Sequence, residues 1–360
     1  MSKSLEIGIV GLPNVGKSTL FNALTSNNVL AANYPFATIE PNVGIIPVPD
    51  ERLDKLEVLY DAEKNIPATI KFVDIAGLVK GASTGEGMGN QFLAHIRECD
   101  AICQVVRVFS DSNVIHVSTI PDPRSDIEIV NTELVLADLQ TVTKRMGVVE
   151  KQFKSDPKLA PVIADIRIAK KYLENNQPLF NLPDLDLTNL TELHLLTAKP
   201  IIYIFNVDEI TLKDTQKRSE LKQITNGAPA VFINAQLEHE LNELDKGDAQ
   251  ELLESYGQSE SGLNQLIKIS YDLLGLQSYL TAGPKEVRAW TIKKDSTAPE
   301  AAGVIHTDFQ KGFIAADIVS YNDLLEAGSL SKARSLGKVR TEGKTYIMQP
   351  DDVVEFKFNV

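Results

Sequence analysis

Residues 5–10 form a short apolar run that stops at Gly11. A loop follows at 11–16, and residues 17–24 carry the start of a helix. Residues 69–73, 101–109, 200–206 and 228–234 are further apolar, β-rich runs of buried-strand length. Helical patterns lie between most of them. Strands and helices alternating in this way predict an α/β fold, a doubly wound and largely parallel sheet covered on both faces.

Residues 131–175 break that rhythm. Val135, Leu139, Val142, Met146, Val149 and Phe153 recur at alternating spacings of four and three, a heptad seam. Ser155-Asp156-Pro157 then offers an N-cap region with a proline suited to a first helical turn. A second stripe follows at Val162, Ile166, Ala169 and Leu173. The pattern predicts an antiparallel helical hairpin inserted into the sheet domain, although two surface helices packed on the sheet would carry the same stripes. From about Ser278 the character changes again. Short strands are expected at 287–292, 312–318, 344–348 and 353–358, with one helical segment near 300–306, making a small α+β module. The division expected is therefore 1–130 with 195–277 as one domain, 131–194 as the inserted hairpin, and 278–360 as the terminal module.

A chain of 360 residues, 43% of them hydrophobic, has room for two or three such domains with ordinary cores. Its net charge of −13 argues against a surface that binds nucleic acid all over, and leaves room for a local basic face. Cys99 and Cys103 have no further cysteine partners, so they are expected as two thiols in a reducing compartment. The first apolar run is too short for a secretory signal and is needed as a strand. No run reaches the length a membrane helix requires. A soluble, cytoplasmic protein is expected.

Residues 11–18 read Gly-Leu-Pro-Asn-Val-Gly-Lys-Ser, between the first strand and the first helix. Backbone N–H groups in such a glycine-flanked turn can ring phosphates, which points to Asn14, Val15, Gly16, Lys17, Ser18 and Thr19 as the nucleotide cradle. Lys17 would bridge the outer phosphates, and the Ser18 hydroxyl would ligate Mg2+. Asp74, in Asp74-Ile75-Ala76-Gly77 at the end of an apolar strand, can hold the same ion through water. The Gly77 amide can sense a γ-phosphate, and the Thr38 hydroxyl is a second protein ligand for the ion once that phosphate is present. A helix N-terminus with an idle glycine turn would explain the first pattern alone. It would not explain the three in order.

These segments, with Tyr34-Pro35-Phe36-Ala37-Thr38-Ile39-Glu40-Pro41-Asn42, the run Asp74 to Ala82, Lys285-Glu286-Val287-Arg288-Ala289-Trp290-Thr291 and the run Ala302 to Phe309, resemble the P-loop GTPase-like class. More narrowly they resemble the Obg-like ATPase family of the YchF type. The resemblance spans nearly the whole chain. It implies a nucleotide-binding G domain, an inserted helical hairpin, a terminal TGS domain of β-grasp fold, and association with the ribosome.

Guanine-specific relatives read their base with Asn-Lys-x-Asp, whereas this chain has Asn206-Val207-Asp208-Glu209. The base-covering lysine is Val207, and the guanine-reading aspartate is the longer Glu209. Glu209 is expected to turn away and leave Asn206 free for an adenine amino group, so ATP is expected over GTP. A one-residue slip that lets Asp208 read guanine stays open. Asn234-Ala235-Gln236-Leu237-Glu238 forms the other base-side loop, with Asn234, Ala235 and Gln236 as its nucleotide-binding candidates. Leu78 stands where switch GTPases keep a water-orienting glutamine, so intrinsic turnover should be slow. Three groups are candidates for completing catalysis: Lys17, His116 as a group that orients water, and Asn14 through a monovalent cation such as K+, as in potassium-stimulated relatives. The glycine-dense segment 81–89 is expected to order only around a γ-phosphate.

From residue 278 onward eleven basic residues balance eleven acids, so the whole −13 falls on the rest of the chain. Lys332, Arg334, Lys338, Arg340 and Lys344 face only Glu342 within their own segment, a strip that could grip RNA phosphates or simply be solvated. The expected protein is a monomeric, Mg2+-dependent ATPase switch that contacts ribosome or RNA through its TGS domain and hairpin, away from membranes. A GTP-specific switch and a nucleotide-gated binding module with little turnover remain the alternatives.

Overall fold

The computed structural model describes residues 5–26, 42–75, 89–109, 122–180 and 182–359. The chain opens with β1 (Glu6–Val10), α1 (Lys17–Ser26), β2 (Val43–Pro47), α2 (Glu51–Tyr60), β3 (Asn65–Ile66), β4 (Thr69–Asp74), α3 (Gly89–Glu98) and β5 (Ala101–Arg107). Two long helices follow, α4 (Pro123–Phe153) and α5 (Ala160–Glu174). Next come β6 (Ile201–Asn206), α6 (Glu209–Lys213), α7 (Thr215–Gln223), β7 (Ala230–Ile233), α8 (Ala235–Leu241), α9 (Lys246–Ser255) and α10 (Gly262–Leu273). The last stretch holds β8 (Leu276–Ala282), β9 (Val287–Lys293), α11 (Ala298–Ile305), α12 (Thr307–Lys311), β10 (Phe313–Ser320), α13 (Tyr321–Ala327), α14 (Leu330–Ser335), β11 (Arg340–Glu342) and β12 (Asp352–Phe358). No described helix is long and apolar enough to cross a membrane.

One sheet runs β2-β4-β1-β5-β6-β7. Its pairs β1–β4, β1–β5, β5–β6 and β6–β7 are all parallel. Every residue of β5 is buried, as a central parallel strand requires. The register sets Ile9 beside Asp74, Arg107 beside Asn206, and Asn206 beside Ile233. The loops that leave β1, β4, β6 and β7 therefore share one edge, where open α/β sheets bind ligands.

The inserted hairpin is present, and α4 is longer than the seam alone predicts. It begins at Pro123, where Asp122 accepts from the Arg124 N–H as N-cap. Val135, Val142 and Val149 are buried against Ile163, Ile166, Ala169 and Leu173 of α5, with Leu139 and Met146 packed beside them. Phe153 ends the stripe and is 40% exposed, because α5 starts only after the turn 157–159, capped by Asp156.

Contacts divide the described residues into two units: one lies within 5–44 and 71–266, the other within 45–70 and 267–359. The second unit thus includes a segment that chain order alone assigns to the nucleotide side. Leu53 and Leu56 of α2 are buried there, and β3 pairs in parallel with β9 through Asn65↔Val287 and Ile66↔Arg288. Its sheet order is β11-β10-β12-β8-β9-β3. The hairpin β8–β9, followed by a helix and by β12 parallel to β8, is a β-grasp arrangement.

One expectation for this unit is corrected. Residues 344–348 are not a strand; the Tyr346 carbonyl and the Met348 N–H serve the start of α11 through Ala298 and Ser296, and the third strand lies at Arg340–Glu342 instead. The basic strip is largely spoken for. Arg334 reaches Asp317 at 3.1 Å, Lys338 reaches Asp323 at 2.8 Å, and Arg340 lies 3.6 Å from Glu342. For Arg334 and Lys338 the neutralising acid lies outside the strip's own segment.

Candidate functional site

Gly11 leaves β1 at φ +154°, Asn14 turns the loop at φ +61°, and Gly16 delivers it to α1 at φ +98°. A Cβ on Gly11 would lie 2.6 Å from the Val105 carbonyl oxygen, a backbone atom of β5 that cannot step aside. Gly11→Ala is therefore expected to lower the unfolding free energy by about 1–3 kcal/mol, measured by urea titration. An unchanged midpoint would contradict the tight approach. Val15 is buried, so only its backbone faces the loop interior, while Asn14, Ser18 and Thr19 are exposed.

Lys17 arches back over the loop and its Nζ donates to the Leu12 carbonyl at 2.7 Å. The side chain is only 8% exposed. Burial lowers its pKa, and the charge of Asp74 opposes that shift. Asp74 is pushed up by burial, with Lys17 and the Ser18 hydroxyl acting against it. Ser18 Oγ approaches Asp74 Oδ2 at 3.5 Å. A hydroxyl and a carboxylate this close suit a hard cation that takes its other ligands from phosphate and water, the usual habit of Mg2+. Among the described residues no group of three or more His, Cys, Asp or Glu forms an all-protein cage.

The base side is knitted from asparagines. Asn206, 8% exposed at the end of β6, donates from Nδ2 to the Val15 carbonyl at 3.0 Å. Its amide nitrogen thus tethers the phosphate loop. A Cβ on Gly16 would come within 2.3 Å of that nitrogen. Asn234 is the N-cap of α8, where Oδ1 accepts from the N–H groups of Gln236 and Leu237 and Nδ2 donates to the Val207 carbonyl at 3.0 Å. Ala235 is half-buried, and Gln236 is exposed and bonds Glu240.

The Val207 side chain is 2% exposed, packed with Val106, Phe205, Leu212 and Leu237, so it has turned into the core and cannot cover a base. An aliphatic residue in the position of the usual lysine gains by burial what the lysine would gain by solvation. Asp208 caps α6 by accepting from the Thr211 N–H at 2.8 Å on Oδ1. Glu209 is exposed on α6 and hydrogen-bonds the side chain of Tyr256. Thr38, Gly77, Leu78, His116 and most of segment 81–89 lie outside the described residues.

Glu238 closes the base-side segment 234–238 and is given no role of its own by the sequence. It is buried among apolar neighbours and accepts from the Gly262 N–H at 2.6 Å.

Two family models match the chain: one described as "50S ribosome-binding GTPase" over residues 6–159, and the YchF GTPase C-terminal family, described as a protein of unknown function, over 276–359. Among curated relatives, "Ribosome-binding ATPase YchF" of Bacillus subtilis (strain 168) is 50% identical over 365 residues, covering 99% of this chain and 100% of the relative. The protein of the same name from Escherichia coli O157:H7 is 48% identical over 362 residues, covering 99% of each. The solved structure of the Schizosaccharomyces pombe YchF GTPase superposes with a TM-score of 0.87 at 38% identity, covering 99% of this chain and 98% of that one.

Proposed function

The chain belongs to the YchF family, and on that premise we propose that it is a Mg2+-dependent nucleoside triphosphate hydrolase that prefers ATP to GTP. Its nucleotide state would control binding to the ribosome or its RNA. The observation that carries the proposal is the buried Lys17 folded over a glycine-flanked loop, with Ser18 and Asp74 side by side at its mouth. Loop amides and Lys17 bind and orient the β- and γ-phosphates, and Ser18 with Asp74 would hold the ion. Bound there, Mg2+ would neutralise charge on the phosphate oxygens. Lys17, whose ammonium is disfavoured by burial, regains a counter-charge when a triphosphate enters.

The relatives' names divide over the base, ATPase for the bacterial proteins and GTPase for the yeast one. The base-side residues favour adenine here. With Nδ2 of Asn206 held by Val15, its Oδ1 is the atom left for adenine's exocyclic amino group. Asp208 is engaged as a helix cap, and Glu209 faces Tyr256. Thr38 as second ion ligand, Gly77 as γ-phosphate sensor and His116 as water-orienting group complete the proposal on residue type and spacing. A K+ ion beside Asn14 has the residue type and its loop position in support. For the ribosome, Lys151, Lys154 and Lys158 lie exposed around the hairpin turn and favour RNA contact there over the largely paired strip of the terminal module.

A competition titration of ATP against GTP with Mg2+ tests the base assignment. ATP is expected to bind at least about tenfold more tightly, about 1.4 kcal/mol, and a preference for GTP of any size would overturn it. Ribosome co-sedimentation should differ between the ATP-bound and nucleotide-free protein. Equal pelleting counts against a switch.

A further inference from the structure

Among the side chains around the base-side loop, Glu238 is the charged group whose placement the nucleotide chemistry leaves unexplained. It sits on α8, a helix of seven residues that is too short to hold itself in place. Asn234 fixes the start of that helix to the Val207 carbonyl. Glu238, 3% exposed, fixes its inner face by accepting from the Gly262 N–H at 2.6 Å.

Gly262 makes this contact possible. A Cβ there would stand 2.9 Å from both Ile233 Cγ1 and the Phe232 carbonyl oxygen, and 3.1 Å from Glu238 Oε1. The absence of a side chain lets the first turn of α10 abut the end of β7, the strand that runs directly into Asn234. The base-side loop is therefore clasped from two sides, by Asn234 on the β6 side and by Glu238 on the α10 side. Burial raises the Glu238 carboxyl to about 7, the cost of keeping an acid here instead of an apolar residue.

We propose that Glu238 is a positioning residue for purine binding: by gripping the first amide of α10 it holds the loop Asn234–Gln236 at the base, without touching the nucleotide itself. The inference rests on the nucleotide reading above and adds to it a determinant for the base half of the ligand alone.

The test uses the full chain and two probes, ATP and inorganic tripolyphosphate, which has the phosphates but no base. Glu238→Ala should weaken ATP binding by about tenfold and leave tripolyphosphate within twofold. Glu238→Gln retains an oxygen acceptor for Gly262 and should keep ATP within threefold. Should the alanine variant not fold, Glu238→Asp, one methylene too short to reach, supplies the same comparison. Unchanged ATP affinity in the shortened variants overturns the proposal. So does an equal loss for both probes, which would mean general loosening. Wild-type protein that binds tripolyphosphate as tightly as ATP overturns the base reading while sparing the phosphate site, and wild type that binds neither sinks the nucleotide reading itself.

Discussion

Lys17→Ala is expected to weaken Mg2+–ATP binding by about a hundredfold or more, the worth of about 3 kcal/mol for a charge-assisted contact to phosphate. Two features of the site set this scale. The ammonium is buried, so its field acts on the phosphates with little screening. It is also pre-aimed, since its bond to the Leu12 carbonyl holds the side chain across the loop instead of leaving it to sample solvent. Lys17→Arg should rescue poorly, because a planar fork does not fit a pocket shaped around one nitrogen. Isothermal titration with ATP reads the loss directly, and thermal melting of the free variant guards against misfolding. An affinity within threefold of wild type would remove Lys17 from the phosphate site and take the hydrolase proposal with it.

What was legible in the sequence was what is local. The glycine-flanked loop is contiguous, and its flanking strand and helix are its immediate neighbours, so eight residues carried both the motif and its setting. The hairpin was legible because a four-three spacing repeats along each helix, and Val135, Val142 and Val149 are indeed the buried positions. Failures came where a partner lies far along the chain. Nothing between residues 45 and 70 announces that α2 and β3 pack with a sheet whose main strands begin more than two hundred residues later. Arg334 looks unneutralised until β10 brings Asp317 beneath it. Asn206 shows no link to the phosphate loop until the parallel register of β1, β5 and β6 lays its amide nitrogen beside the Val15 carbonyl. In each case side-chain type was read correctly and its partner was not, because pairing across a sheet is set by topology.

The largest stability effect is expected at Asp138, where the hairpin is fastened back to the sheet domain. Asp138 lies in α4, fully buried, and its carboxylate takes three bonds: the Leu196 N–H at 2.9 Å on Oδ1, and the Thr197 N–H and hydroxyl, each at 2.7 Å, on Oδ2. Burial pushes the carboxyl up, and these donors, with the charge of Arg97, act against that shift. Leu196 and Thr197 belong to the strand of chain that returns from the hairpin and enters β6 at Ile201, so one side chain of the arm fixes how the sheet resumes. Asp138→Ala strands three buried donors at once and should cost about 3–5 kcal/mol. Amide exchange at Leu196 and Thr197 should accelerate by about a hundredfold or more, since each 1.4 kcal/mol of local stability is tenfold. Asp138→Asn keeps the shape but turns an NH2 toward one donor, and should fall between the two. ATP affinity, measured where the variant is still folded, should stay within about twofold, because Asn206 is held by the β5–β6–β7 register and not by the arm. Unaltered exchange at both amides in the alanine variant would show that the chain's return to the sheet is fastened elsewhere.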